Sequence, residues 1–195
     1  SIESDKYNCL VFCIQSIKTV TIPSFIERIC SCAFESCNQL QRVYFEPDSK
    51  LQTIDEGAFE GSSIERIKIP SNVTRIDKCA FYNCERLREV EFANDSRLQM
   101  IGKEAFALSP IEEFTIPSQV TYIGEKAFVA NKELKKFEFA IDSKLQTINK
   151  EAFFNSSIVS IRIPSQVTKI EEYAFCTCKK LQTIEFTADS KLTTI

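Results

Sequence analysis

The nine cysteines are the residues of this sequence with the widest chemical range, since a thiolate can be a nucleophile, a metal ligand or half of a disulfide. A cysteine nucleophile needs a base beside it, and histidine, the usual base near neutral pH, is absent. Cys9 and Cys13 have no histidine or carboxylate cluster beside them, so a zinc site is not expected. With only four glycines, a phosphate-binding loop is not expected either. The sequence therefore predicts no catalytic residue, no metal and no cofactor.

Three cysteines occupy one position of an internal repeat. Cys37, Cys84 and Cys178 share this position with small polar residues of other repeats, Ser62, Ser109, Asn131 and Ser156. Cys37 and Cys84 would lie two strand spacings apart, about 9 to 10 Å, which is too far for a disulfide. We therefore predict buried, reduced thiols here, while pairing of Cys32 with Cys37 or of Cys79 with Cys84 stays open. Cys32 and Cys79 share a position that is Lys or Tyr in other repeats, which predicts an exposed site.

The repeat itself runs through most of the chain. The dipeptide Ile-Pro recurs four times at a constant spacing of 47 residues, at Ile22, Ile69, Ile116 and Ile163. Ala-Phe recurs more often, with gaps that alternate between 25 and 22 residues, at Phe34, Phe59, Phe81, Phe106, Phe128, Phe153 and Phe175. The unit is therefore about 23 residues long in two alternating forms, a length typical of a solenoid.

Each unit carries a strand-like hexad with apolar residues at its first, fourth and sixth places, and eight hexads predict eight stacked strands. The hexads begin at Ile17, Leu40, Ile64, Leu87, Ile111, Leu134, Ile158 and Leu181. A turn follows, and a residue such as Asp55 or Asn149 then precedes Ala-Phe, which predicts one helical turn with a polar N-cap. Stacked units share one core. The predicted fold class is an α/β repeat solenoid, a right-handed superhelix with a parallel concave β-sheet and short helical turns or irregular structure on the convex side.

The repeat phase also predicts how the chain is divided. Residues 1–16 are expected to form a degenerate N-terminal repeat, because Phe12 precedes Ile17 by the same spacing that separates Phe59 from Ile64. Residues 17–195 are expected to form the solenoid. Ile195 falls in the middle of a unit, so truncation at the C-terminus is expected.

The segment Ala-Phe-x-x-Cys-x-x-Leu occurs in full at residues 33–40, 80–87 and 174–181. Together with the proline that follows alternate strands, it resembles the leucine-rich repeats of the BspA-like surface-protein family of bacteria and mucosal protozoan parasites. The resemblance covers residues 17–195 well. It implies display at the cell surface or secretion, adhesion, and binding to extracellular-matrix or host-cell surface proteins.

The third and fifth places of the hexads face outward, and a solenoid offers this sheet face to partners. Equal places on adjacent parallel strands are neighbours, so Arg66 should face Glu89. The same rule pairs Lys68 with Glu91 and Glu113 with Lys136, and it places Arg162 between Glu138 and Glu185. Arg42 lies instead beside Arg66, with Tyr44 close by, and both residue types are enriched in binding hot spots. The candidate binding residues are Arg42, Tyr44, Arg66, Lys68, Glu89, Glu91, Glu113, Lys136, Glu138, Arg162 and Glu185.

Composition favours a protein as the partner. The 24 basic and 27 acidic residues give a net charge of -3, which does not attract nucleic acid or an anionic membrane. The longest apolar run, residues 9–14, is far short of the roughly 20 residues needed to cross a bilayer. We predict a non-enzymatic protein-binding solenoid, part of a cell-surface adhesin. The alternatives are a cytoplasmic interaction scaffold and, for the outward charges, a solvated ladder that binds nothing.

Overall fold

The computed structural model describes residues 8–11 and 16–195, and these form a parallel β-solenoid. One parallel sheet contains eight strands in chain order, β2 (Thr19–Ile22), β4 (Arg42–Phe45), β6 (Arg66–Ile69), β8 (Glu89–Phe92), β10 (Glu113–Ile116), β12 (Lys136–Phe139), β14 (Ser160–Ile163) and β16 (Thr183–Phe186). The eight strands predicted from the hexads are therefore confirmed.

A second set of strands, each two residues long, lies on the returning side of the coils. These strands are β1 (Cys9–Leu10), β3 (Arg28–Ile29), β5 (Thr53–Ile54), β7 (Arg75–Ile76), β9 (Met100–Ile101), β11 (Tyr122–Ile123), β13 (Thr147–Ile148) and β15 (Lys169–Ile170). The first six form one sheet and the last two form another. Sequence analysis assigned only core residues to this side, because two residues are too few to show an alternating pattern.

The core is a stack of phenylalanine rings between the two sides. Phe34, Phe59, Phe81, Phe106, Phe128 and Phe153 have no exposed surface. The ring centroids of successive coils are 5.0 to 5.6 Å apart and the rings are nearly parallel. Each buried ring contributes about 1.5 to 3 kcal/mol through removal of apolar surface from water. The Ala-Phe landmark of the sequence is therefore a structural column.

The convex side contains tight turns, and the predicted helical turns were wrong. None of the described residues is in a helix. In each coil from residue 30 to 177, two residues four positions apart have positive φ, as Glu104 (56°) and Leu108 (59°) do. A right-handed helix needs negative φ at every residue and N–H bonds to the fourth preceding carbonyl. Here alternate N–H groups bond the next coil instead, as Phe106 N does to Ala127 O at 2.9 Å.

The polar residues expected to cap helical turns have other partners. Asp55, which is only 6% exposed, accepts a hydrogen bond from the guanidinium of Arg28 at 2.6 Å. Asp77 accepts one from the backbone N–H of Lys78 at 2.9 Å. These contacts join neighbouring coils or close a turn, which explains why Asp and Asn suit this position without a helix.

The eight-stranded sheet alternates between two kinds of strand junction. At β2–β4, β6–β8, β10–β12 and β14–β16, all four residues of each strand are in register, and we call these paired junctions. At β4–β6, β8–β10 and β12–β14, only the first residues pair, as Arg42 does with Arg66. We call these three the proline junctions, because Pro70, Pro117 or Pro164 follows the second strand of each.

One backbone hydrogen bond distinguishes the β2–β4 junction from the β4–β6 junction. After β4, the N–H of Glu46 donates to Ile22 O of the preceding coil at 3.0 Å, which extends the β2–β4 ladder by one bond. The equivalent residue after β6 is Pro70, which has no N–H. The ladder between β4 and β6 therefore lacks this bond, and only the first residues of the two strands pair.

The first described coil is linked to the next by a disulfide between Cys9 and Cys30, whose Cα atoms are 5.9 Å apart. β1 pairs in parallel with β3, as a coil of the stack would. Cys13 and most of residues 1–16 lie outside the described residues, so a degenerate N-terminal repeat stays a prediction. Sequence analysis did not identify this pair, because Cys9 lies outside the recognisable repeats.

Candidate binding face

Every candidate binding residue lies on the outward face of the eight-stranded sheet. The first and third residues of each strand are exposed, and the second is buried in all strands from β4 to β14. We call the exposed surface formed by these residues the ladder face. Alternation of side chains along a strand produces it directly from the hexad pattern.

The register of the sheet confirms the predicted charge neighbours at the paired junctions. Arg66 is in register with Glu89. The same holds for Lys68 with Glu91, Glu113 with Lys136, and Arg162 with Glu185. The predicted neighbours Glu138 and Arg162 are not in register, because β12 and β14 pair only at their first residues. Register brings Cα atoms together, but few of these side chains form ion pairs. Arg66 and Glu89 are 3.9 Å apart, and Lys136 contacts Glu138 of its own strand at 3.1 Å.

A further ion pair, missed by sequence analysis, joins Arg88 and Glu112 at 3.1 Å. These residues immediately precede β8 and β10, at a place of the hexad that alternation does not assign to the ladder face. All the pairs of this surface are exposed, and an exposed pair contributes about 0 to 1 kcal/mol. The charges of the ladder face therefore add little to the stability of the fold.

Two proline junctions bring like charges into register, Glu89 with Glu113 at β8–β10 and Arg42 with Arg66 at β4–β6. Arg42 is in register with Arg66, so two cations are adjacent. The Arg42 guanidinium donates to the Tyr44 hydroxyl at 3.5 Å, and the ring of Tyr44 is about half exposed. Tyr44, and to a smaller extent the carboxylate of Glu65, raises the pKa of Arg42. Arg42, Tyr44, Arg66 and Lys68 together form what we call the basic patch.

A pocket adjoins the basic patch at the first proline junction. Its volume is about 410 Å³, and it lies between the C-terminal ends of β4 and β6. Its lining residues are Val43, Tyr44, Phe45, Glu46, Asp48, Ser49, Lys68, Ile69, Pro70, Ser71, Asn72 and Ala93. Sequence analysis missed this pocket, and the only signal for it was the proline after alternate strands.

The buried thiol column has a structural role. Cys84 is fully buried, and its thiol donates to Phe59 O at 3.0 Å. Ser109 and Asn131 make the equivalent bonds to Phe81 O and Phe106 O, each at 2.8 Å. These three members thus satisfy carbonyls of the phenylalanine stack. Cys178 makes the same bond to Phe153 O at 2.9 Å, but it is only partly buried, whereas burial was predicted. Burial raises the pKa of Cys84 to about 12, so the thiol stays protonated near neutral pH.

The accessible thiols are also held in their protonated form. Cys32 is exposed, as predicted, whereas Cys79 is partly buried. A hydrogen bond with Glu35, followed by burial and nearby carboxylates, raises the pKa of Cys32 to about 11. Burial and the charge of Glu104 raise the pKa of Cys79 to about 11. A thiol in an acidic environment is a poor nucleophile.

The described residues contain no group of three or more His, Cys, Asp or Glu side chains arranged to hold a metal ion. Within the same part of the chain, no helix has the length and apolar character needed to span a membrane.

A family model described as a BspA-type leucine-rich-repeat region matches residues 6–135 and 99–195, in six copies. A comparison with curated proteins finds no match. Among solved structures, the chain is similar to the pneumococcal vaccine antigen PcpA, with 22% identity and a TM-score of 0.69 over 89% of this chain and 51% of that one. A Bacteroides ovatus leucine-rich-repeat protein shares 24% identity at a TM-score of 0.64, over 89% of this chain and 38% of that one.

A third similar structure is the Treponema pallidum (T. pallidum) leucine-rich-repeat protein, with 25% identity and a TM-score of 0.64 over 86% of this chain and 69% of that one. The chain thus spans about half of PcpA and less of the Bacteroides protein. These likenesses agree on the fold, a stack of parallel coils.

Proposed function

Because the chain belongs to the BspA-type leucine-rich-repeat family, we propose that it is a non-enzymatic protein-binding solenoid of a cell-surface adhesin, which recognises matrix or host-cell surface proteins. Repeat proteins of this kind bind partners on an extended sheet surface. In this chain the extended sheet surface is the ladder face. Its residues can serve partner binding because they contribute little to the stability of the fold.

The observation that carries the proposal is the basic patch. Arg42 and Arg66 are adjacent cations in the sheet register, and like charges directly opposite each other are unfavourable. A sequence selected only for stability would place a carboxylate on β4 in register with Arg66. It does so on β8, where Glu89 is in register with Arg66. The half-exposed ring of Tyr44 beside them adds the kind of aromatic side chain that anchors protein interfaces.

The test is binding of the purified chain to a panel of extracellular-matrix proteins. The double variant Arg42→Ala with Tyr44→Ala should lose binding, because it removes a charged and an aromatic anchor together. The matched control is Thr19→Ala with Thr21→Ala on β2, which changes the same two exposed strand places at residues outside the candidate binding set. Equal binding by both variants and the parent chain, with unchanged thermal midpoints, would contradict the role of the patch.

Surface display or secretion is the second part of the proposal, and the Cys9–Cys30 disulfide supports it. Disulfides persist in oxidising compartments and are rare in the cytosol. Three Asn-x-Ser/Thr sequons, the acceptor motif for N-glycosylation, begin at Asn72, Asn94 and Asn155. Asn94 is exposed, whereas the Asn72 amide donates to Ser49 O at 2.8 Å. Mass spectrometry of the native protein should find Cys9 linked to Cys30. A fully reduced native protein would favour the cytoplasmic scaffold instead.

A further inference from the structure

The pocket at the first proline junction has a specific structural cause. Pro70 has no N–H to continue the β4–β6 ladder, and the pocket lies where the two strands no longer pair. Val43 and Ile69 line it but are nearly fully buried, so its accessible apolar surface comes from the partly exposed Phe45, Pro70 and Ala93. The pocket therefore offers apolar surface within a sheet face that is otherwise charged.

The charges around the pocket are not symmetric. Two of the pocket's lining residues, Tyr44 and Lys68, belong to β4 and β6. Arg42 and Arg66 are the first residues of these two strands. The turn side carries two carboxylates, Glu46, which accepts a hydrogen bond from the backbone N–H of Ser24 at 2.9 Å, and the exposed Asp48. A bound segment that extends from the pocket toward the first residues of β4 and β6 would therefore contact the cations Lys68, Arg42 and Arg66.

The other two proline junctions differ at the places that shape this pocket. The residues equivalent to Tyr44 are Glu91 and Glu138, and those equivalent to Lys68 are Thr115 and Arg162. Neither junction has an aromatic side chain at that place of its first strand, and in both the residue there is a carboxylate. The combination of an opened junction, an aromatic wall and adjacent cations belongs to the β4–β6 junction alone of the three.

From this geometry we infer that the pocket holds an apolar side chain of a partner protein whose adjoining acidic residues contact Arg42, Arg66 and Lys68. The inference rests on the proposed protein-binding function and names the chemistry of the segment recognised. The apolar side chain supplies affinity by leaving water, and the carboxylates fix its direction on the sheet.

The probe is a capped peptide with one phenylalanine flanked on both sides by aspartates, titrated into the whole chain by calorimetry. Two control peptides replace the phenylalanine with alanine or the aspartates with lysines. The acidic phenylalanine peptide should bind at least about tenfold more tightly than either control, as the loss of one hot-spot contact implies. Equal binding of the three peptides, or no binding of any, would overturn the inference.

Two pairs of variants locate the binding. Pro70→Ala restores an N–H donor and should narrow the pocket, whereas Pro117→Ala makes the same change at a junction without the aromatic wall. Ala93→Phe fills the pocket, and Ala140→Phe is its equivalent after β12. The variants at 70 and 93 should weaken peptide binding about tenfold while their controls do not, each being checked for an intact fold by its thermal midpoint. Peptide binding that survives Ala93→Phe in a folded protein excludes the pocket.

Failure of this inference can be told apart from failure of the proposed function. Ala93→Phe leaves all four residues of the basic patch in place. If matrix-protein binding depends on Arg42 and Tyr44 but ignores Ala93→Phe, the patch binds partners without the pocket. The chain would then keep its proposed function, and the inference about the apolar anchor would be wrong.

Discussion

The phenylalanine column and the ladder face both extend along the eight-stranded sheet. Packing determines which residues the column can have, whereas the ladder face is exposed to water. Each ring of the column touches the ring above and the ring below, so its position and size are fixed by packing. On the ladder face, charged side chains in register mostly stay exposed to water and form few close pairs. The requirement for stability therefore limits which residue types the interior can have. The outward places of the strands are under no such limit and can be used for binding.

The largest effect is expected from breaking the column at its centre. Phe106→Ala removes a fully buried ring that stacks on Phe81 and Phe128 and contacts Phe114 edge-on. The free energy of unfolding should fall by about 3 to 5 kcal/mol, because the lost ring leaves a cavity between two coils. Chemical denaturation monitored by circular dichroism measures this. A loss no greater than that of an exposed substitution such as Tyr44→Ala would contradict the packing role of the column.

The next largest effect is expected where the backbones of two coils approach closely, at Gly102. A Cβ added to Gly102 would lie 2.5 Å from the backbone atoms Asp77 C and Lys78 N, so Gly102→Ala must push the coils apart. We expect a loss of about 3 kcal/mol, as in overpacked cores.

The control for this change is Gly61→Ala. Gly61 has a positive φ of 64°, but an added Cβ would meet nothing nearer than 3.7 Å. Only the backbone conformation is penalised, by about 1 to 2 kcal/mol. If Gly61→Ala proves as costly as Gly102→Ala, close approach of the coils is not the reason for glycine at position 102.

A smaller, pH-dependent effect is expected from the buried thiol. Burial raises the pKa of Cys84 from 9.0 to about 12 in the folded chain, so the folded state holds its proton when the unfolded state has lost it. The stability of the parent chain should therefore decrease as pH rises through this window. Cys84→Ser, which places the residue found at position 109 in the same column, should lose less stability over the same pH range. Identical pH profiles for the two proteins would rule out this titration.

The smallest effect is expected on the ladder face. Lys136→Ala with Glu138→Ala removes an exposed contact, and the free energy of unfolding should change by less than about 1 kcal/mol. A much larger loss would mean that the charges of this face support the fold, and that the contrast with the column is false.

Sequence reasoning worked best where a pattern has one structural interpretation. The hexads predicted the eight strands, and equal places of adjacent hexads predicted the register that places Arg66 opposite Glu89. It failed on the convex turns, because Asp and Asn before Ala-Phe suit both a helix N-cap and a tight turn. The decisive positive-φ residues include Cys32 and Tyr173, types that carry no signal for such a conformation.

The sequence by itself determined the repeat, the buried column and the outward places of the strands, since periodicity of apolar residues along the chain is a local property. Only the tertiary structure decided the convex turns, the Cys9–Cys30 link and the pocket beside Tyr44. Each of these depends on bonds between coils. Pro70 is visible in the sequence, but its missing N–H matters only because the equivalent residue after β4, Glu46, bonds the preceding strand in the stacked sheet.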